Sequence, residues 1–198
     1  AKAGGDPVDI DLKLEPIAAV LRREVPLRIH CHRADDIMTA LRLAREFDSE
    51  LCLEHATEGH KIADKLAAEP RLKGVTIGPT MSTRSKYELR DKTWDTVHVV
   101  HDAGVKTAVI TDHPVVSIQY LALSAGYAAK AGLDRDEALR AITQNAADIA
   151  LVGDRVGSIE VGKEADLALF TGHPLEMGTE TVATIVAGKV AYRNPKYA

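Results

Sequence analysis

Four short apolar segments, rich in β-branched residues, alternate with helical patterns, and this alternation constrains the fold more than any other feature. The segments cover residues 26–31, 51–55, 74–78 and 107–112. Short apolar runs of this kind, separated by amphipathic helices, are typical of βαβ units, in which a helix carries the chain back to begin the next parallel strand. The sequence therefore predicts an α/β protein built on a parallel sheet.

The intervening patterns predict helices that begin at recognisable capping residues. Asp35 or Asp36, Thr93 and Asp134 are candidate N-caps, because their side-chain oxygens can accept a hydrogen bond from the first helical turn. Glu137 lies three residues after Asp134, which is capping-box spacing. The predicted helices cover residues 15–23, 35–47, 59–69, 93–104, 116–131 and 134–151.

The pattern changes after Val152, where glycine-containing turns separate short apolar segments. Strands are predicted over residues 156–161, 166–170 and 182–192. Closely spaced strands with glycine-rich turns indicate a small β unit rather than further βα repeats. We therefore predict a domain boundary at residue 152, with one unit over 1–152 and another over 153–198.

Composition excludes several classes of protein and suggests a compartment. The net charge of −4 argues against a nucleic-acid or anionic-membrane partner, and no apolar run approaches the ~18 residues of a membrane span. The only two cysteines, Cys31 and Cys52, lie in apolar segments, so we expect reduced core thiols in a cytoplasmic protein. The opening residues from Ala1 have no signal-peptide pattern and suggest part of a longer chain.

Three of the predicted strands end in a residue type that binds metal ions. These residues are His30, His55 and Asp112. Ligands of parallel α/β folds bind at the carboxyl ends of the strands, and imidazole nitrogen with carboxylate oxygen is a donor set that suits zinc. A single histidine at a strand end is more often structural, but three ligand types at equivalent positions leave a metal site and structural roles equally open.

Other polar residues lie near the same predicted edge. His32 follows His30 by two residues and His113 follows Asp112, so both are candidate substrate contacts, although each is equally well explained as a surface residue. Residues 86–95 form a charged segment that we predict to be a loop over the site.

Two further histidines and the absence of other motifs narrow the possibilities. His98 and His101 fall inside a predicted helix, away from the strand ends, which favours a packing or solvent role. The sequence has no G-x-S-x-G elbow, no G-x-G-x-x-G fingerprint and no P-loop. It therefore gives no support for a serine hydrolase of that type or for nucleotide binding.

Four sequence segments resemble one enzyme superfamily. The segments PLRIHCHRADDI, LCLEHATEG, VITDHP and NAADIALVGDRVGSIEVGKEADLALF are similar to the C-terminal half of the amidohydrolase superfamily, with imidazolonepropionase-like members the nearest in pattern. The resemblance extends from about residue 14 to residue 192 and is most specific in the last segment.

The resemblance implies a fold, a cofactor and a reaction. The fold would be the C-terminal half of a (β/α)8 TIM barrel, strands five to eight, over residues 1–152, followed by part of a composite β-sandwich over 153–198. His30, His55 and Asp112 would bind a divalent metal, most simply zinc. The reaction would be hydrolysis of a C–N bond in a small amide, cyclic amide or dipeptide-like substrate, with Asp112 moving the proton.

The sequence also departs from the superfamily pattern. The H-x-H motif expected on the first barrel strand is absent, and about 150 residues of βα structure fall short of the roughly 250 that a complete barrel takes. We therefore expect either a homo-oligomer or a missing N-terminal half to complete the sheet. The alternative is a non-catalytic fragment or subunit that needs another chain to complete its site.

Overall fold

A four-stranded parallel sheet organises the first part of the molecule. The computed structural model describes residues 10–197. The outer ends of the two predicted domains, at residues 1 and 198, therefore lie outside the described residues. The strands are β1 (Leu27–Cys31), β2 (Leu51–His55), β3 (Leu72–Ile77) and β4 (Thr107–Val109), in the spatial order β1-β2-β3-β4. The predicted parallel α/β sheet is confirmed.

The register of the strands aligns their carboxyl ends. Cys31 is paired with His55 across β1 and β2, and His55 is paired with Ile77 across β2 and β3. Ile77 is in turn paired with Val109 at the end of β4. Residues that follow these positions therefore emerge at one edge of the sheet.

Seven α-helices and four 3-10 turns connect and flank the strands in the described part of the chain. The helices are α1 (Glu15–Leu21), α2 (Ala34–Glu46), α3 (Ala63–Ala67), α4 (Asp95–Asp102), α5 (Leu121–Lys130), α6 (Arg135–Arg140) and α7 (Gln144–Ile149). The 3-10 turns are Gly59–Ile62, Tyr87–Leu89, Ile118–Tyr120 and Pro195–Tyr197.

The hydrophobic core lies between one face of the sheet and the helices that connect its strands. Ile37 and Leu41 of α2 and Val100 of α4 pack with Leu53 and Val75 of the central strands, and all five are fully buried. Removing these side chains from water supplies the main driving force for folding. The other face is more open, because residues of β1 that alternate with its core residues are exposed.

Helix α7 covers the amino ends of the strands, opposite the edge where the carboxyl ends meet. The side chain of Ile149 is buried against Gly74 at the start of β3. Arg28 donates from Nη1 to the Ile149 carbonyl at 2.9 Å, and Asn145 donates from Nδ2 to the Thr107 carbonyl at 3.1 Å. These contacts tie the helix to three of the four strands.

The predicted helix over residues 134–151 is wrong as a single element. It is two helices, α6 and α7, because Thr143 leaves the helical region with φ −131° and ψ −98°. The predicted cap at Asp134 is confirmed, since its carboxylate accepts the backbone N–H groups of Asp136 and Glu137.

The predicted cap of α2 at Asp35 or Asp36 is also wrong. The helix begins one residue earlier, at Ala34, and neither aspartate caps it. The Ala34 N–H donates instead to the carboxylate of Glu58, at 2.9 Å. A distant residue therefore supplies the acceptor that a local side chain was expected to supply.

The second sheet is antiparallel and smaller. Its strands are β5 (Leu167–Phe170), β6 (Thr181–Val186) and β7 (Lys189–Arg193), in the order β5-β6-β7. The predicted strand over 182–192 is two strands, joined at Ala187 and Gly188, which both adopt positive φ angles as tight hairpin turns require.

The predicted strand over 156–161 is absent, and this segment forms turns. Gly157 lies so close to α7 that an added Cβ would be 2.7 Å from the Cβ of Ala147. Close packing against a helix thus replaces strand pairing. Among residues 10–197, no helix is long and apolar enough to cross a membrane.

Substitution of Gly74 tests the packing of α7 against the sheet. An added Cβ would lie 2.5 Å from Cγ1 of Ile149, so Gly74→Ala should destabilise the protein by about 1–3 kcal/mol. Gly178→Ala is the matched control, because nothing lies within 4 Å of its added Cβ, and it should change stability by less than about 0.5 kcal/mol. Urea unfolding measures both, and equal stability of the two variants would contradict the packing described.

Candidate functional site

Three histidines meet at the carboxyl ends of β1 and β2. His30 lies in β1, His32 follows that strand, and His55 ends β2. The ring centroids are 4.3 Å apart for His30 and His55, 4.8 Å for His30 and His32, and 4.9 Å for His32 and His55. We call these three residues the histidine cluster.

The hydrogen bond of His55 fixes which ring nitrogen carries the proton. Nδ1 lies 2.7 Å from the carbonyl oxygen of Gly78. A carbonyl only accepts, so Nδ1 must donate, and in the neutral ring Nε2 keeps its lone pair. A histidine whose second nitrogen donates to a carbonyl is the usual arrangement of a metal-binding imidazole.

His32 is held by a chain of hydrogen-bonding contacts that runs through two threonines. Its Nδ1 lies 2.8 Å from Oγ1 of Thr57, and its ring is almost fully buried. The Thr57 carbonyl accepts from Oγ1 of Thr96, which in turn lies 2.8 Å from Nδ1 of His60. His60 therefore supports the cluster from the protein interior and does not line the pocket.

Two rings of the histidine cluster, His30 and His32, have lowered pKa values. Burial, followed by the proximity of His55 and His30, lowers the pKa of His32 to about 4. Burial, followed by the proximity of His55, also lowers the pKa of His30 below its ordinary range. Both rings are therefore neutral at neutral pH. The neutral imidazole is the form that binds metal ions and accepts protons.

Asp112 and the histidine cluster line one pocket. Asp112 follows β4 and adopts a positive φ angle of 51°. The pocket has a volume of about 470 Å³, and its opposite wall is formed by the loop between β3 and α4. Pro79, Met81, Ser82, Lys86, Leu89 and Lys92 contribute to that wall. The predicted loop is confirmed for residues 86–94, which include the 3-10 turn Tyr87–Leu89, whereas Asp95 begins α4. That this loop covers a functional site stays a prediction.

The predicted site residues do not all reach the pocket. His30, His32, His55 and Asp112 line it, but His113 does not. His113 instead accepts the backbone N–H of Ile118 at its Nδ1, at 3.3 Å, so its substrate role stays a prediction.

His98 and His101 lie on α4, as expected, and His98 is packed close to Gly132. Within residues 10–197, no three His, Cys, Asp or Glu side chains converge closely enough to hold a metal ion in their present conformations. The metal-binding roles assigned from the sequence therefore remain predictions as well.

Sequence reasoning missed residues that shape the pocket from elsewhere in the chain. Thr57 orients His32, and Glu88 approaches Nε2 of the same ring to 3.8 Å. Lys92 is buried in the pocket wall. In the sequence, Lys92 and Glu88 are recognisable only as members of a charged loop. No spacing between them and a strand end predicts that they contact the pocket.

Neither cysteine offers a reactive nucleophile. Cys31 lies between two members of the histidine cluster, but its side chain faces the core, and burial raises the pKa of its thiol to about 12. Burial also raises the pKa of the Cys52 thiol. The predicted core placement of both thiols is confirmed.

Comparisons with known proteins agree on one family. Residues 13–192 match the Amidohydrolase family. The chain is 26% identical over 194 residues to Amidohydrolase tasK of Hapsidospora irregularis, and this alignment covers 93% of the chain and 19% of that relative. It is 30% identical over 151 residues to the imidazolonepropionase of Paracidovorax citrulli, with coverage of 74% of the chain and 34% of the relative.

Two further proteins extend the comparison. The N-substituted formamide deformylase of Arthrobacter pascens is 30% identical over 183 residues, covering 79% of the chain and 33% of the relative. The crystal structure of an amidohydrolase from Thermotoga maritima MSB8 matches with a TM-score of 0.91 and 39% identity, covering 98% of this chain and 50% of that one.

The chain thus spans between a fifth and about a third of these curated relatives and half of the solved structure. The family match covers nearly the whole of the chain and includes the strand-end residues of the pocket. The resemblance noted in the sequence is therefore confirmed, and the chain belongs to the Amidohydrolase family.

Proposed function

We propose that this chain forms the C-terminal half of a metal-dependent amidohydrolase. In this proposal β1–β4 are strands five to eight of a (β/α)8 barrel, and β5–β7 belong to a composite β-sandwich. The reaction is hydrolysis of a C–N bond in a small amide, cyclic amide or dipeptide-like molecule. The observation that carries the proposal is the shared pocket of His30, His55 and Asp112 at the carboxyl ends of the strands.

The donor groups of the pocket are of the chemical types that bind a divalent cation, with zinc the first candidate. His30 and His55 would supply imidazole nitrogens, and Asp112 would supply a carboxylate oxygen, a set that zinc accepts readily. The His55 hydrogen bond to Gly78 supports this assignment, because it leaves Nε2 unprotonated. A bound divalent cation would acidify water and polarise the scissile carbonyl.

The side chains themselves would orient the substrate and move protons. Asp112 would take a proton from the attacking water and deliver it to the leaving nitrogen. His32, neutral and held by Thr57, would contact the substrate through Nε2. The loop between β3 and α4 would cover the substrate and limit the access of bulk water.

The size of the pocket and the names of the relatives support a small amide as substrate. A volume of about 470 Å³ is within the range of small-molecule sites. Imidazolonepropionase and N-substituted formamide deformylase both name substrates with an amide-type C–N bond. The buried free thiols, Cys31 and Cys52, are consistent with a reducing compartment, which we propose is the cytoplasm.

The edges of the parallel sheet support completion by further polypeptide. Within the described residues, β1 pairs only with β2, and β4 pairs only with β3. An uncovered strand edge exposes backbone groups that recruit another strand. We propose that either an N-terminal half or a second copy of the chain supplies it. The alternative is a non-catalytic subunit. The free edges are compatible with both proposals, and absence of hydrolysis in the completed assembly would favour the alternative.

Asp112→Asn tests the proposed chemistry. In the zinc-supplemented protein with its barrel completed, the substitution should lower kcat for a small amide by about 10²–10⁴-fold, because the side chain keeps its shape but no longer accepts a proton. Asp102→Asn is the matched control, since Asp102 is exposed at the end of α4, remote from the pocket, and its turnover should equal that of the parent. Comparable turnover by both variants would remove Asp112 from the mechanism.

Light scattering tests the proposed assembly. Because two parallel-sheet edges are free in the described residues, the chain on its own should associate at micromolar concentration and should hydrolyse amides slowly or not at all. Dilution should shift the distribution toward smaller species. A stable monomer with amidase activity would contradict the need for added strands.

A further inference from the structure

Lys92 is a buried lysine whose ammonium contacts only uncharged oxygens. It is 8% exposed and lies at the end of the loop between β3 and α4. Its Nζ donates to Oγ of Ser82 at 2.8 Å, to the carbonyl oxygens of Pro79 and Thr83 at 3.3 Å each, and to the carbonyl of Ser82. Among the described residues, no carboxylate forms an ion pair with it.

A buried charge without a counter-charge has to be compensated by hydrogen bonds. An ammonium has three protons, and four acceptors from residues 79–83 surround this one. Burial lowers the pKa of Lys92, and the nearby Arg84 lowers it further. The loop is therefore wrapped around the ammonium, which leaves no free donor to contact a substrate.

A second hydrogen bond joins the loop between β3 and α4 to Lys92. Arg84 donates from Nη2 to the backbone carbonyl of Lys92 at 2.8 Å. Main-chain and side-chain atoms of Lys92 thus hold opposite ends of the segment 79–84. Since Pro79, Ser82 and Thr83 line the pocket, this contact also sets the position of the pocket wall.

The loop begins at the residue that orients His55. Gly78 directly precedes Pro79, and its carbonyl accepts the proton of His55 Nδ1 at 2.7 Å. Gly78 has a φ angle of 140°, and an added Cβ would lie 2.1 Å from the carbonyl oxygen of Ile110. The backbone at Gly78 therefore lies tightly against the segment after β4. The Gly78 carbonyl and the Pro79 nitrogen belong to one planar peptide unit, so their orientations are coupled.

We infer that Lys92 is a positioning residue that acts on His55 through the Gly78–Pro79 segment. By holding the Pro79 and Ser82 carbonyls, the ammonium keeps the Gly78 carbonyl aimed at Nδ1, and the Nε2 lone pair of His55 is thereby kept available toward the pocket. The inference rests on the proposed function only where it treats His55 as a metal ligand. The structural effect on the imidazole is independent of catalysis.

The imidazole ¹⁵N spectrum of the metal-free protein at pH 8 measures this effect directly. In the parent protein, His55 should be the Nδ1–H tautomer. Lys92→Met keeps a similar length but removes the donors, so the ratio of Nδ1–H to Nε2–H tautomers should fall by about tenfold, which corresponds to the loss of one well-placed hydrogen bond. Lys65→Met, at an exposed position of α3, removes the same charge and should leave the ratio unchanged.

Two results would overturn the inference. One is a folded Lys92→Met protein, judged by its backbone amide spectrum, in which the His55 tautomer ratio equals that of the parent. If Lys92→Met does not fold, Ser82→Ala is measured in its place. This variant removes one acceptor of the ammonium and should shift the His55 resonances. Unchanged His55 resonances in Ser82→Ala are the second contradicting result. Since no metal or substrate is present, these outcomes are separate from success or failure of the hydrolysis assay.

Discussion

The parallel register of β1–β4 is the constraint on which the candidate site depends. Parallel strands end at the same edge, so residues far apart in sequence come together wherever strands end. The pairing of Cys31 with His55 and of His55 with Ile77 sets this edge. The histidine cluster, the Gly78 carbonyl and Asp112 then follow from it, while α7 covers the opposite end of the strands.

Polar groups hold the histidines that face the pocket. Thr57 holds His32, and the Gly78 carbonyl holds His55. Both contacts engage the Nδ1 atom of the ring, so Nε2 is the nitrogen left for other partners. Mutation of supporting contacts of this kind in metal sites typically lowers metal affinity or activity by about 10–100-fold. The buried ammonium of Lys92 adds a connection between these polar groups and the loop that forms the pocket wall.

Sequence reasoning succeeded where a local pattern determines the structure and failed where distant contacts do. The parallel sheet and its strand-end His30 and His55 follow from alternation and strand length. The break at Thr143 was missed because no glycine or proline marks it, and the start of α2 was misjudged because its acceptor, Glu58, comes from another loop. Lys92 could not be identified in advance, because its importance lies in burial and in which carbonyls surround it.

In the proposed function, His30, His55 and Asp112 form one metal site at the carboxyl ends of the strands. Anomalous diffraction at the zinc absorption edge, from crystals of the protein grown with zinc, tests this claim most directly. We expect an anomalous peak in the pocket, about 2.1 Å from an imidazole nitrogen of His30, an imidazole nitrogen of His55 and a carboxylate oxygen of Asp112. Zinc bound elsewhere on the protein, with no peak in this pocket, would contradict it.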